Sequence, residues 1–305
     1  MNIAIIGAGA MGCLFAARLQ GQGTALTLID IDPATLDTLN RQGIAVQRSH
    51  GQLSSQQPVT ALRADQARGH FDLVVLFTKA FHTASALASV GHLLGDDTYV
   101  LTLQNGLGHV DTITACVADA RVIVGVTDIP ADLIGIGQVH TPGAGSIRLW
   151  SHDGQQRPML DRLSRLFNEA GLPCTADPQV QVAIWHKAAF NAALNALCTL
   201  LREPVGRIGH GEHGRWLVAA VVDESAAVAI ALGVAFNRET VLAMVEKVYD
   251  QQAEHKPSML QDRLAGRRSE IDNINGAIVR AAHRQGIATP VVESLYRLVC
   301  MGEPE

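Results

Sequence analysis

Charge is scarce in this sequence. Only 17% of its 305 residues are Asp, Glu, Lys or Arg, and a net charge of -5 leaves no basic excess with which to bind nucleic acid. No run of eighteen apolar residues occurs, which argues against a membrane span. Paired cysteines are missing too. Cys13, Cys116, Cys174, Cys198 and Cys300 are an odd, dispersed set with no CxxC among them. Such a set reads as free thiols in a reducing compartment. The first residues, Met1 to Ile6, enter a strand-like run at once, with no basic stretch ahead of a longer apolar one. The expectation is therefore a cytoplasmic protein. The twelve histidines form no metal-type cluster, and His50, His70, His82 and His92 read as isolated surface residues, so no metal is expected. There is no internal repeat and no low-complexity tract. What remains is a chain that is 48% hydrophobic, able to bury a large core and long enough for two domains.

Short apolar runs alternate with helical stretches through the first half. Residues 2–6 stop at Gly7, an amphipathic segment follows from Cys13 to Gln22, and a second apolar run, Ala25 to Ile29, ends at Asp30. Strand, glycine turn, helix and strand within about thirty residues make a βαβ unit. Phe71–Thr78, Tyr99–Leu103 and Arg121–Val126 read as further strands, the first apolar enough to be buried on both faces of a parallel sheet. His82–Leu94 and His109–Val117 read as helices between them. Glycines 135, 137, 143 and 145 punctuate pieces such as Ser146–Trp150, which suggests antiparallel strands at the sheet edge. Arg157–Ala170 reads as a helix and Thr175-Ala176-Asp177-Pro178 as a hinge. Beyond it Val182–Leu201, Gly214–Ala231, Arg238–Tyr249 and Ser269–Gln285 look wholly helical. The expected fold is α/β: a Rossmann-type doubly wound sheet over 1–175, followed by an all-helical domain over 176–305.

Gly7-Ala8-Gly9-Ala10-Met11-Gly12 fits G-x-G-x-x-G, and here it follows a strand and opens a helix. Gly7 permits the tight turn, Gly9 close approach of a pyrophosphate, and Gly12 packing of helix on strand. The helix N-terminus then offers free N–H groups to an anion. Asp30 ends the second strand, where a carboxylate accepts hydrogen bonds from a ribose 2′-hydroxyl and repels a 2′-phosphate. That favours NADH over NADPH as the cofactor. Asp30 or Asp32 can equally cap the next helix. Lys79 and Gln104-Asn105-Gly106 lie at the carboxyl ends of strands, the side of such a sheet where ligands bind. Lys187, Asn191 and Asn195 are spaced i, i+4, i+8, one cation and two carboxamides along one helical face. Such a face suits the carboxylate and keto oxygen of a 2-oxo acid; a plain solvated face is the competing reading. Ser258 and Ser269 read alone as helix N-caps, and Glu270 as an acid opening a helix.

Taken together, these motifs resemble the ketopantoate reductase (2-dehydropantoate 2-reductase) family over nearly the whole chain. The resemblance rests on GAGAMG at 7–12, Lys79, QNG at 104–106, Lys187, Asn191 and Asn195, and SMLQD at 258–262 with Glu270. It implies a 6-phosphogluconate-dehydrogenase-like arrangement with the active site in a cleft between the domains. It also implies hydride transfer from NAD(P)H to the keto group of a 2-oxo acid, giving a D-configured 2-hydroxy acid. Lys187 resembles the general acid, and Glu270 the carboxylate beside it and the nicotinamide ribose. Asn191, Asn195 and Ser258 resemble substrate-holding residues, and Lys79 and Asn105 residues lining the cofactor and substrate approach. The chain departs from the family at three places. Ile29-Asp30-Ile31-Asp32 replaces a run with an arginine, Val205-Gly206 replaces Asn-Gly, and His255 replaces an Asn. The last two weaken the hold on a hydroxylated substrate. An NAD-dependent D-2-hydroxy acid dehydrogenase for branched or aromatic 2-oxo acids is the alternative enzyme, and a non-catalytic nucleotide sensor the alternative of another class. The apolar helices at 214–231 and 238–249 suit internal packing or a homodimer.

Overall fold

The computed structural model describes residues 1–48, 51, 54, 59–143 and 145–304, and His50 lies outside them. The chain forms two compact units, Met1–Gln104 with Val110–Val180, and Asn105–His109 with Gln181–Glu305.

The first unit begins β1 (Asn2–Ile6), α1 (Ala10–Leu19), β2 (Ala25–Ile29), α2 (Pro33–Gln42). Next come β3 (Ala45–Gln47), β4 (Thr60–Leu62), β5 (Leu73–Leu76), α3 (Thr83–Val90), β6 (Tyr99–Thr102) and α4 (His109–Thr114), whose first residue belongs to the second unit. β7 (Val122–Thr127), β8 (Asp132–Gly135), β9 (Gln138–His140), β10 (Ile147–Ser151), α5 (Pro158–Glu169) and β11 (Cys174–Ala176) complete it. The main sheet runs β11-β10-β7-β6-β5-β1-β2-β4. From β4 to β7 every pairing is parallel; β10 runs antiparallel to β7. Strand order reverses at β1, so the glycine turn lies at the switch point where such sheets bind ligands. The central strands are apolar on both faces because helices cover both: Ile3, Ile5, Val75 and Leu101 on one face and Ala4, Val74 and Val100 on the other are all fully buried.

Three expectations are corrected here. The strand expected at 71–78 is only four residues long, although the Asp72 and Phe77 N–H groups still donate to the Asn2 and Ile6 carbonyls; beyond it the Gln104 side chain donates to the Thr78 carbonyl at 2.8 Å. The edge strands divide: β10 joins the main sheet, while β9 pairs with β3 on one side and β8 on the other in a separate three-stranded sheet. Thr175 and Ala176 are not a hinge, since β11 is a hydrogen-bonded strand in register with β10.

The second unit is helical: α6 (Val180–Leu201), α7 (Val205–Gly209), α8 (Glu212–Ala231), α9 (Arg238–Gln251), α10 (Ser258–Leu264), α11 (Asn275–Gln285) and α12 (Pro290–Cys300). α6 is its central element. Ala189, Ala192, Ala193 and Ala196 are fully buried, and small side chains there let neighbouring helices approach closely. The helix expected from Ser269 begins only at Asn275. Ser269 donates both its N–H and its hydroxyl to the Glu303 carboxylate, at 2.8 and 2.7 Å, and residues 270–274 form turns instead. Neither Ser269 nor Glu270 opens a helix.

Candidate active site

The three glycines of the turn are required for different reasons. Gly7 has φ +102°, and a Cβ there would lie 2.9 Å from the Thr78 nitrogen. A Cβ on Gly12 would overlap the Gly7 carbonyl oxygen. A Cβ on Gly9 would meet no protein atom within 4 Å. Packing therefore explains Gly7 and Gly12 but not Gly9, whose open side is where a pyrophosphate would approach. Gly9 is also the N-cap of α1, with no capping side chain and no acid in the first turn. The first N–H groups of Ala10, Met11 and Gly12 have no intrahelical acceptor. These residues fit a dinucleotide.

Asp30 closes the turn from the neighbouring strand. Its Oδ2 accepts the Ala8 N–H at 2.6 Å, and its Oδ1 accepts those of Ile31 and Asp32 at 2.8 and 3.0 Å. Asp32, not Asp30, caps α2: it accepts the Thr35 N–H at 2.9 Å, and hydrogen bonds from Thr35 hold its carboxyl below the usual range. Cys13, directly behind the turn, is no nucleophile. Burial, aided by the Asp30 charge, pushes its thiol up to about 12.

Lys79 and Asn105 belong to different units. Half-buried Lys79 follows Thr78 in the first unit. Asn105 opens a five-residue segment of the second unit, in which Gly106 (φ +85°) abuts the Asn273 carbonyl and Leu107 N–H donates to it at 2.7 Å. Gln104, which the sequence offered only as a turn residue, is a buried knot. Its Nε2 donates to the Thr78 carbonyl at 2.8 Å and reaches the Thr83 hydroxyl at 3.1 Å, while its Oε1 accepts from Thr102 at 3.1 Å. Nothing in spacing distinguishes it: of the three threonines it meets, Thr78 and Thr102 lie at strand ends and Thr83 opens α3.

On α6, Lys187 is half-buried, whereas Asn191 and Asn195 are only 8% and 4% exposed. Neither carboxamide has a hydrogen-bond partner among the described residues. The solvated-face reading fails on that burial. Their amide atoms keep contact with solvent, so water can satisfy them and a bound ligand can take its place. Two neighbours fix the helix and were not foreseen. His186 Nε2 accepts the Asn237 N–H at 3.0 Å with Phe236 edge-on at 4.8 Å, and Asn275 donates to the Ala192 carbonyl at 3.1 Å. Ser258 is exposed as the first residue of α10; Pro257 is the cap position and no side chain caps this helix, so Ser258 is not an N-cap. Glu270 is buried in the turn before α11. No group of metal-ligating side chains occurs among the described residues. An ammonium and two buried amides can orient a small anion and a polar oxygen and hand over a proton.

Two positions that set the sequence apart from its apparent family are neighbours. The Val205 N–H donates to the His255 carbonyl at 3.1 Å, and Gly206 N–H to Ala253 at 2.8 Å, with no room for a Cβ on Gly206.

Known proteins place these features in context. The family profile described as Ketopantoate reductase PanE/ApbA matches residues 3–154, and that of its C terminal region residues 179–303. The 2-dehydropantoate 2-reductase of Streptococcus pyogenes is 33% identical over 98% of this chain and 97% of its own, and that of Halobacterium salinarum 30% over 99% of each. A solved D-mandelate dehydrogenase, in a ternary structure with NADH and anilino(oxo)acetate, superposes with a TM-score of 0.94 at 32% identity, covering 99% of this chain and 98% of that one. The 2-dehydropantoate 2-reductase of Geobacter metallireducens superposes with 0.91 at 32% identity over 99% of each. No helix among the described residues is long and apolar enough to cross a membrane.

Proposed function

Because the chain belongs to the ketopantoate reductase family, we propose as its reaction the reduction of 2-dehydropantoate to D-pantoate, with Lys187 as the proton donor. The nicotinamide cofactor supplies the hydride. The chain's own residues do the rest. The Gly7–Gly12 turn and Asp30 hold the nucleotide, with Lys79 and Asn105 lining its approach. Asn191, Asn195 and Ser258 hold the keto acid, and Glu270 orients the Lys187 ammonium and the nicotinamide ribose. As the ketone carbon gains hydride, its oxygen becomes an alkoxide; the ammonium stabilises that charge and delivers the proton that completes the alcohol. The observation that carries this reading is the pair of buried, unpartnered carboxamides on the face of Lys187.

Lys187→Ala should lower kcat/KM by about 10²–10⁴-fold while NADH still binds. Full turnover in that variant would end the assignment. A second reading has its own support: reduction of branched or aromatic 2-oxo acids lacking the pantoyl hydroxyl. Val205, beside His255, stands where the family carries a hydrogen-bonding side chain, and a site with fewer such groups discriminates less for a hydroxyl. Initial rates with 2-dehydropantoate, 2-oxoisocaproate and phenylglyoxylate, each with NADH and NADPH, separate the two. A protein that binds NADH and turns over none of them would be the nucleotide sensor. NADH is favoured because the Asp30 carboxylate, with three backbone N–H groups on about four lone pairs, keeps capacity for one ribose hydroxyl. We place the protein in the cytoplasm as a homodimer through the exposed Trp216 and Ile230 on α8, to be checked by light scattering.

A further inference from the structure

At the carboxyl edge of the first unit's sheet, β4 lies beside β2 as the outermost strand, with Ile29 in register with Leu62 and the Asp30 N–H on the Leu62 carbonyl at 3.2 Å. The next residue on β4's side is Arg63. It leans back over the end of β2, its Nη1 3.5 Å from the Ile31 carbonyl. In a doubly wound sheet this is where the adenosine half of a dinucleotide lies, next to the strand-end acid that meets its ribose. Among the described residues, Arg63 is the cation that the hydrogen bonds and ion pairs bring to this strand end.

Its present partners hold it weakly. The bond to Ile31 is long, and the ion pair with Asp65, at 3.4 Å between side chains 50% and 74% exposed, is of the kind that contributes little. A guanidinium has five N–H donors, and these contacts leave most of them for a planar, bidentate partner such as phosphate. Asp30 opposes such a phosphate less than a bare carboxylate would. Three backbone N–H groups at 2.6–3.0 Å already face its oxygens.

We propose that Arg63 is the cation that admits a 2′-phosphate at the adenosine end, so that the discrimination between NADPH and NADH is set by the pair Asp30 and Arg63 on adjacent strands. This inference rests on the nucleotide reading of the glycine turn. It assigns to β4 the role that an arginine beside β2 would otherwise fill.

The test is equilibrium binding of NADPH and of NADH to the whole protein without keto acid, followed by nicotinamide fluorescence. Arg63→Gln should weaken NADPH about tenfold, the lower range for a charge-assisted hydrogen bond, and NADH less than twofold. Arg63→Lys, which keeps the charge but not the fork, should fall between. Asp30→Asn should move the ratio the opposite way, towards NADPH. Equal weakening of both cofactors in Arg63→Gln would mean that the guanidinium lies on the adenine ring, and would overturn the proposal, as would no change in either. If neither cofactor binds the unaltered protein, the nucleotide reading falls and this inference falls with it.

Discussion

His109 offers a stability prediction whose sign and size both follow from burial. It is 6% exposed, and its Nδ1 is sealed from solvent with no hydrogen-bond partner among the described residues. Burial disfavours the charged imidazolium and lowers its pKa from 6.5 to about 4. An unfolded chain takes up this proton near pH 6.5, but the folded chain does not until about 4. Between those values the unfolded state binds more protons, so folding stability falls as the pH falls. The full difference corresponds to about 3 kcal/mol by pH 4 and about 2 kcal/mol at pH 5. His109→Leu removes this dependence while leaving every carboxylate in place. Urea unfolding of both proteins at pH 7, 6 and 5, followed by circular dichroism, should show the variant gaining about 2 kcal/mol relative to the parent between pH 7 and 5. Stability curves that run parallel over that range would show that the imidazole is charged or solvated in the folded protein, and the reasoning would be wrong.

Two further substitutions test the turn. Gly9→Ala should fold with an unchanged thermal midpoint, because its Cβ meets nothing within 4 Å, yet bind NADH at least about tenfold more weakly, since the methyl occupies the pyrophosphate's approach. Gly12→Ala should lose both soluble yield and thermal midpoint, because its Cβ falls on the Gly7 carbonyl; a normal midpoint there would contradict the packing. Gln104→Leu should be destabilising by about 1–3 kcal/mol in urea, since it removes the donor to the Thr78 carbonyl, while the Thr83 hydroxyl keeps the Ala80 carbonyl and the Thr102 hydroxyl keeps the backbone N–H of residue 104. NADH affinity should fall in the same variant, because Gln104 fixes the turn of chain leading to Lys79.

Much of the fold was legible because local rules decide it. The run 2–6 followed by Gly7-Ala8-Gly9-Ala10-Met11-Gly12 admits few conformations, and parallel strands buried on both faces announce themselves as unbroken apolar runs. The spacing of Lys187, Asn191 and Asn195 put them on one face whatever surrounded the helix. Their burial was not legible, because burial depends on which other helices cover that face. The placing of β11 and the late start of α11 were misread for a shared reason. Each is set by a partner distant in sequence: Arg148 opposite Thr175, and Glu303 on Ser269.

The order of residues alone thus determined a nucleotide-type turn, a two-part chain and one helix face bearing an amine with two amides, since each is a matter of neighbours within a few turns or strands. Tertiary packing alone decided that the two asparagines are covered, that Asp30 reaches back to the Ala8 N–H, and that Arg63 leans towards the end of β2. Those are contacts between segments brought together only when apolar surfaces close, and periodicity along a chain carries no record of them.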